Sequence, residues 1–313
     1  MTNRRTFLKD AALVAGALQL APLSIACNTV EEPSDLHISI FSKHLQFLDY
    51  SQCGQKAAEL GFDGVDLTVR PKGHVLPENV ARDLPIAVAA IKKSGIDCNM
   101  ITTSIESVNN VEDVNILQAA SKAGIKYYRT HWFKYLKDVP LTTSITHYQK
   151  EVKALSELNK ELDLIGCYQN HAGTKVGASY WEIYQLLQDA NKDHFGTQYD
   201  IRHASAEGAH SWVNGLNLLK DQIKMIVLKD YKWEKKVGKW KLQNVPIGEG
   251  MVDFDKYFKL LKSYGLNPPV SLHLEYPLGG AEKGKYTITV DESVVYDAMK
   301  KDLAAIRKLW SEA

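Results

Sequence analysis

Residues 58–69 read Ala58-Glu59-Leu60-Gly61-Phe62-Asp63-Gly64-Val65-Asp66-Leu67-Thr68-Val69. A segment of helical period, Leu48–Leu60, stops at Gly61, and a short apolar run begins at Gly64. Glycine accepts the left-handed conformation that ends a helix, so the stretch reads as a helix turning directly into a strand. The same junction recurs at Gly95, Gly124 and Gly265. Working outward, buried strands are expected at Leu36–Phe41, Gly64–Val69, Asp97–Thr102, Tyr127–Thr130, Asp163–Tyr168, Phe195–Asp200, Ile223–Lys229 and Val270–Glu275. Helical periods fill the gaps, at Leu48–Leu60, Pro85–Ser94, Val111–Ala123, Thr143–Leu162, Ala178–Ala190, Trp212–Lys220, Phe254–Tyr264 and Ser293–Trp310. Eight βα units without a linker imply an α/β chain folded as a single (β/α)8 TIM barrel over residues 36–313. A doubly wound sheet is the alternative, but no GxGxxG follows the first strand, and Gly248-Glu249-Gly250 comes late, before the seventh helix.

Composition narrows the function. Apolar residues make up 45% of the 313 and charged residues 24%, ordinary globular values that exclude wholesale disorder. The formal net charge is +1, so no global field attracts a polyanion and nucleic acid is not an expected partner. Cys27, Cys53, Cys98 and Cys167 have no metal-knuckle or CxxC spacing; those in the body read as small buried hydrophobes.

The N-terminus reads as an address. Asn3-Arg4-Arg5-Thr6-Phe7-Leu8-Lys9 precedes a modest apolar run from Ala11 to Ala21, a pattern resembling a twin-arginine export signal over residues 1–27. The run is interrupted by Gln19 and closed by Pro22, too short for a membrane span. Ser24-Ile25-Ala26-Cys27 resembles a lipobox, with Cys27 as a candidate lipid anchor, although Leu23 sits one place too early. Residues 28–35 form a linker. The expected location is the periplasm, free or membrane-anchored.

In a barrel of this kind chemistry sits at the C-terminal ends of the strands. Side chains alternate along a strand, so His273 and Glu275 share one face of strand eight. Strand six ends at Asp200 with His203 just beyond, strand five runs into Gln169-Asn170-His171, and strand four into Arg129-Thr130-His131-Trp132. Strand seven closes on Lys229-Asp230, and strand two runs from Asp66 to Arg70 with His74 in the loop. Each has a plain alternative: His131 or His171 as a hydrogen-bonded structural histidine, Asp66 and Arg70 as an internal ion pair, Lys229 as a snorkelling lysine beside a helix cap. Their convergence on one end of the barrel favours a site. After strand seven, Tyr231–Val245 carries Trp233, Trp240 and several lysines around Gly238, and reads as a hairpin-like lid whose indoles would suit a sugar ring, or as a solvated basic hairpin.

These features resemble the xylose-isomerase-like barrel superfamily of sugar isomerases and epimerases, inosose dehydratases and type IV apurinic endonucleases. The motifs that carry the resemblance are Glu59–Asp66, Tyr168-Gln169-Asn170-His171-Ala172-Gly173-Thr174, Asp200-Ile201-Arg202-His203, Leu228-Lys229-Asp230 and Gly248–Asp253. The resemblance implies a divalent metal (Mn, Zn, Co or Mg) held by Glu, Asp, His and Glu from strands five to eight. Asp200 and Glu275 match two of these; Gln169 stands for the first Glu and Val227 for the His, so His273 or His171 would have to supply the imidazole. The implied metal set is Gln169, Asp200, His273 and Glu275; otherwise Lys229 supplies the positive charge.

The superfamily's shared step is removal of a proton next to a carbonyl, with a cation stabilising the enolate. On this chemistry Glu275 is expected as the base, Asp200 as the residue that holds the metal or orients the cation, Lys229 or a divalent ion as the group that stabilises the enolate, and His203 as the contact to a substrate hydroxyl. Arg70, His74, His131, Trp132, His171 and Trp233 are the expected substrate contacts. Three readings follow: an exported isomerase or epimerase of an unphosphorylated sugar or keto-sugar, a lyase or hydrolase of 3-keto-glycosides using the same step, or a non-catalytic sugar-binding protein.

Overall fold

The computed structural model describes residues 35–313. The export signal, Cys27 and nearly all of the linker lie outside the described residues. Elements alternate along the chain: β1 (Ile38–Phe41), α1 (Tyr50–Leu60), β2 (Gly64–Val69), α2 (Val80–Lys92), β3 (Asp97–Thr103), α3 (Val111–Lys122), β4 (Tyr127–Arg129), α4 (Leu141–Leu162), β5 (Ile165–Gln169), α5 (Tyr180–Leu187) and β6 (Phe195–Asp200). Then follow α6 (Ile201–Gly208), α7 (Trp212–Leu219), β7 (Ile223–Leu228), the hairpin β8 (Asp230–Lys236) and β9 (Lys239–Val245), α8 (Phe254–Ser263), β10 (Val270–Leu272) and α9 (Glu292–Glu312). Strands β1 to β7 and β10 close into a parallel barrel, β1 pairing with both β2 and β10. The expected (β/α)8 barrel is the fold.

Alternation along the strands sorts the core. Val65, Leu67 and Val69 of β2, Tyr199 of β6 and Ile226 and Leu228 of β7 face the helices and join the main hydrophobic core. The intervening residues face the barrel axis. Met100, Cys167 and Met225 form a separate small apolar cluster. The axial residues nearer the C-terminal ends are polar, and a polar group this deep is costly unless partnered. The three body cysteines are free and buried, as expected, and burial, followed by the Asp49 charge, pushes the Cys53 thiol up to about 12.

The junction that decided the fold is built as read. Asp49 caps α1 in a reciprocal capping box with Gln52, and Gly61 ends it at φ 88°. Elsewhere boundaries moved. The strand expected from Asp163 starts at Ile165, because Asp163, at φ 54°, is the left-handed cap of α4. Helix α2 starts at Val80 and takes Pro85 into its body, one 3-10 turn (Pro77–Asn79) having already set its direction. The segment after β6, expected as loop, is α6, capped by the Asp200 carboxylate accepting the His203 N–H at 3.0 Å. Strand eight, expected to Glu275, leaves the ladder after Leu272: the Leu274 N–H turns to His44 Nε2, 3.0 Å away. The β8–β9 hairpin is present, closed by Val237-Gly238 with positive φ at both positions.

Candidate active site at the C-terminal end of the barrel

Three charged groups from three strands meet above the axis. Lys229, one residue past β7, places its Nζ 3.1 Å from Asp200 Oδ2, 2.9 Å from His203 Nε2 and 3.6 Å from Glu275 Oε2. Glu275 Oε1 takes a second ammonium, Lys43 Nζ, at 3.3 Å. Burial alone would raise the Glu275 carboxyl; Lys229 and Lys43 outweigh it and hold it well below the usual carboxylate range. Burial pushes the Asp200 carboxyl up, against the pull of Lys229. His203 lies between Lys229 and Arg202, whose NH1 is 2.8 Å from its Nδ1. Burial and the Lys229 charge therefore keep the imidazole neutral.

Beneath Glu275 runs a hydrogen-bonded chain. Ser271 Oγ donates to Asp66 Oδ2 at 2.6 Å, Thr102 Oγ1 lies 3.1 Å from both Asp66 oxygens, and His273 Nε2 is 3.0 Å from Ser271 Oγ. The His273 ring stacks on Phe41 at 4.2 Å and reaches Glu275 Oε1 with Nδ1 at 3.8 Å. Asp66 is thus satisfied by hydroxyls, and no ion pair within 4 Å joins it to Arg70 among the described residues.

A small inner cavity of about 40 Å³ is lined by Glu275, Lys229, His171, Arg129, Arg70 and Lys43, among others. An outer cavity of about 930 Å³ shares Lys43, Arg70 and Trp132 with it and adds His131. Of the expected substrate contacts, Arg70, His131, Trp132 and His171 line one or both. His171 donates Nδ1–H to the Ala172 carbonyl at 2.9 Å, which leaves Nε2 as an acceptor. Burial, followed by Lys229, takes its pKa down to about 4, so it is neutral.

Three expected residues are placed elsewhere. His74 packs under the β2 loop, Nδ1 3.1 Å from Ser42 Oγ, and lines neither cavity. His203, 2% exposed, sits behind Lys229 and positions it. Trp233 stands on the hairpin, 44% exposed, outside the linings of both cavities. Two residues outside the expected contacts do line the site: Lys43, in the turn after β1, and Arg129, the last residue of β4. Arg129 stacks on Trp132 at 4.3 Å.

Gln169, Asp200, His273 and Glu275 are not arranged around a divalent ion. As a carboxylate Asp200 only accepts, so Gln169 turns its NH2 to it, 2.8 Å away, and its oxygen toward Arg129, 3.4 Å away. His273 is engaged with Ser271, and the space between the two carboxylates holds the Lys229 ammonium. No group of three or more metal-capable His, Cys, Asp or Glu side chains occurs among the described residues. The expected metal set does not fit the ion it was to hold.

The barrel is similar to solved structures across its length. The 3-keto-D-glucoside 4-epimerase from E. coli superposes with a TM-score of 0.63 at 13% identity, covering 87% of this chain and 99% of that one. The D-allulose 3-epimerase from Methylomonas sp. gives 0.65 at 13%, covering 88% and 99%. A xylose isomerase-like TIM barrel protein from Mycobacterium smegmatis, in complex with magnesium, gives 0.61 at 13%, covering 88% and 98%. At such identities the likeness is one of fold. No curated protein matches the chain in sequence. The family model described as xylose isomerase-like TIM barrel matches residues 55–289, and the chain belongs to that family.

Proposed function

We propose that this chain is an exported sugar-active enzyme of the isomerase or epimerase type. It removes a proton next to the carbonyl of an unphosphorylated sugar or keto-sugar through an enolate. The observation that carries the reading is the Glu275 carboxylate, held ionised by two ammonium groups while its side chain, 26% exposed, lines the inner cavity. A carbon acid needs an oriented base and a preorganised positive charge where the enolate oxygen develops. Glu275 takes the proton and Lys229 faces the oxygen. Asp200 and His203 fix the ammonium from behind, and neutral His171 presents an acceptor to a substrate hydroxyl. The sugar-processing names of the neighbouring structures are consistent with this, and the twin-arginine pattern supports export.

A second reading shares the first step: elimination of the aglycone of a 3-keto-glycoside. The outer cavity favours it, since about 930 Å³ lies at the upper end of pockets for drug-sized ligands and exceeds what one sugar ring needs. One experiment tests both. Incubation with D-fructose and with a 3-keto-glucoside in D2O should incorporate deuterium at the carbon beside the carbonyl, and Glu275→Gln should lower the rate by about a hundredfold or more. Aglycone release from the 3-keto-glucoside selects the second reading. No exchange with either compound leaves the sugar-binding alternative.

A further inference from the structure

The charges around the site do not balance. Five cationic side chains line the outer cavity, Lys43, Arg70, Lys72, Lys283 and Lys285, and no Asp or Glu among the described residues lines it. Lys43 is shared with Glu275, and Lys283 lies 3.8 Å from Glu282. Arg70 has neither a hydrogen bond nor an ion pair from its guanidinium among the described residues, and the guanidinium lies 5.4 Å from the centre of the Phe41 ring. Arg129 is 2% exposed, its Nε is buried without a partner, and the one hydrogen bond of its guanidinium among the described residues is the long contact with Gln169. The three carboxylates nearby are already engaged: Asp66 by hydroxyls, Asp200 by Lys229, Glu275 by Lys43 and Lys229. Asp66 and Glu275 attract both guanidiniums from a distance, but no carboxylate among the described residues lies within 4 Å of either; for Arg129, fully buried, this is costly, because a buried charge is stable only when closely paired. Lys43, Arg70 and Trp132 line both the inner and the outer cavity.

We propose that the substrate is an acidic sugar whose carboxylate binds between Arg70 and Arg129, with its reacting carbon over Glu275. The inference rests on the reading of the site as sugar-active and names the class of sugar. A planar carboxylate matches the paired N–H donors of a guanidinium. A phosphate dianion would meet the Glu275 carboxylate in the same 40 Å³ chamber with twice the charge. Phe41 and Trp132, under Arg70 and Arg129, hold the two guanidiniums without neutralising them.

The test is calorimetric titration of the intact protein with D-glucuronate, D-glucose and D-glucose 6-phosphate at low and moderate salt. Glucuronate should bind about tenfold or more tightly than glucose, with a margin that shrinks as salt rises. In Arg70→Gln the margin should collapse, and in Arg70→Lys part of it should return. Because the Arg70 guanidinium makes no hydrogen bond among the described residues, and its backbone bonds to Val75 and Gly73 survive the substitution, the melting temperature of both variants should stay near that of the parent. Equal or undetectable binding of glucuronate and glucose overturns the inference, as does tighter binding of the phosphate or a margin that survives in Arg70→Gln. Deuterium exchange separates this from the reading beneath it. Equal exchange in neutral and carboxylated keto-sugars removes the acidic-substrate inference and leaves the enolising enzyme. A carboxylate margin without exchange in any keto-sugar does the reverse.

Discussion

Lys229 helps to set the charge of Glu275, and that influence can be measured. The ammonium is one of two that keep the Glu275 carboxyl well below the ordinary range, so in the parent protein the base stays ionised at pH values where a free Glu would protonate. In Lys229→Met one of those charges is gone. Proton exchange should fall about a hundred- to a thousandfold, the loss expected for a donor aimed at a developing oxyanion. The acid limb of the residual pH–rate profile should move to higher pH, because the carboxyl is then less depressed. A rate loss without that movement would mean Lys229 holds structure and not the charge of Glu275. Asp200, Lys229 and Glu275 were legible from the residues alone, since strand ends and two-residue alternation place them at the barrel mouth. His74 was misplaced for a local reason: a histidine in a strand-end loop looks the same in sequence whether it faces the cavity or folds back under it. Arg129, named at the end of strand four, carries no sequence signal that separates a substrate contact from the structural cation of an internal ion pair; its inward position becomes decisive only in the closed barrel.

At the scale of elements, Gly248-Glu249-Gly250 has a structural explanation. The Asp230 carboxylate accepts the N–H groups of Tyr231, Gly248, Gly250 and Val252, at 2.8 to 3.1 Å, and so ties the start of β8 to the turn before α8. A Cβ on Gly250 would collide with that carboxylate and with the Tyr231 carbonyl oxygen. Gly250→Ala should therefore destabilise by about 2–4 kcal/mol, read as a lower midpoint in a denaturant melt. The same substitution at Gly238, where a Cβ meets nothing within 4 Å, disturbs no packing and should cost less despite its positive φ. Helix α6 and the early end of the eighth strand escaped the periodicity argument. The first has eight residues, IRHASAEG, with little apolar stripe, and is set by one capping bond from Asp200. The second is ended by a side chain more than two hundred residues away in sequence, His44, which takes the Leu274 N–H.

The whole molecule is near neutral by formal count, yet its mouth is lined by cations. Composition sums over the surface and is blind to such segregation; only the closing of the barrel brings Lys43, Arg70, Arg129 and Lys283 to one end. The eightfold alternation was legible because each helix-to-strand junction carries its own local signal, whereas the balance of charge at the mouth belongs to no local stretch. The proposed export belongs to this scale as well. Replacing Arg4 and Arg5 together with lysines should retain the full-length protein in the cytoplasm on cell fractionation, and equal periplasmic recovery would remove the twin-arginine assignment.

The position of Lys229 between two carboxylates has a consequence outside the barrel. A cation covalently part of the chain is synthesised at full occupancy, cannot dissociate on dilution and cannot be exchanged for a tighter-binding competitor, whereas divalent sites are filled according to supply and the general order of metal affinities. An enzyme working beyond the cytoplasm on this plan would keep its rate during metal scarcity and in the presence of secreted chelators, conditions under which a metal-loaded counterpart would fall silent.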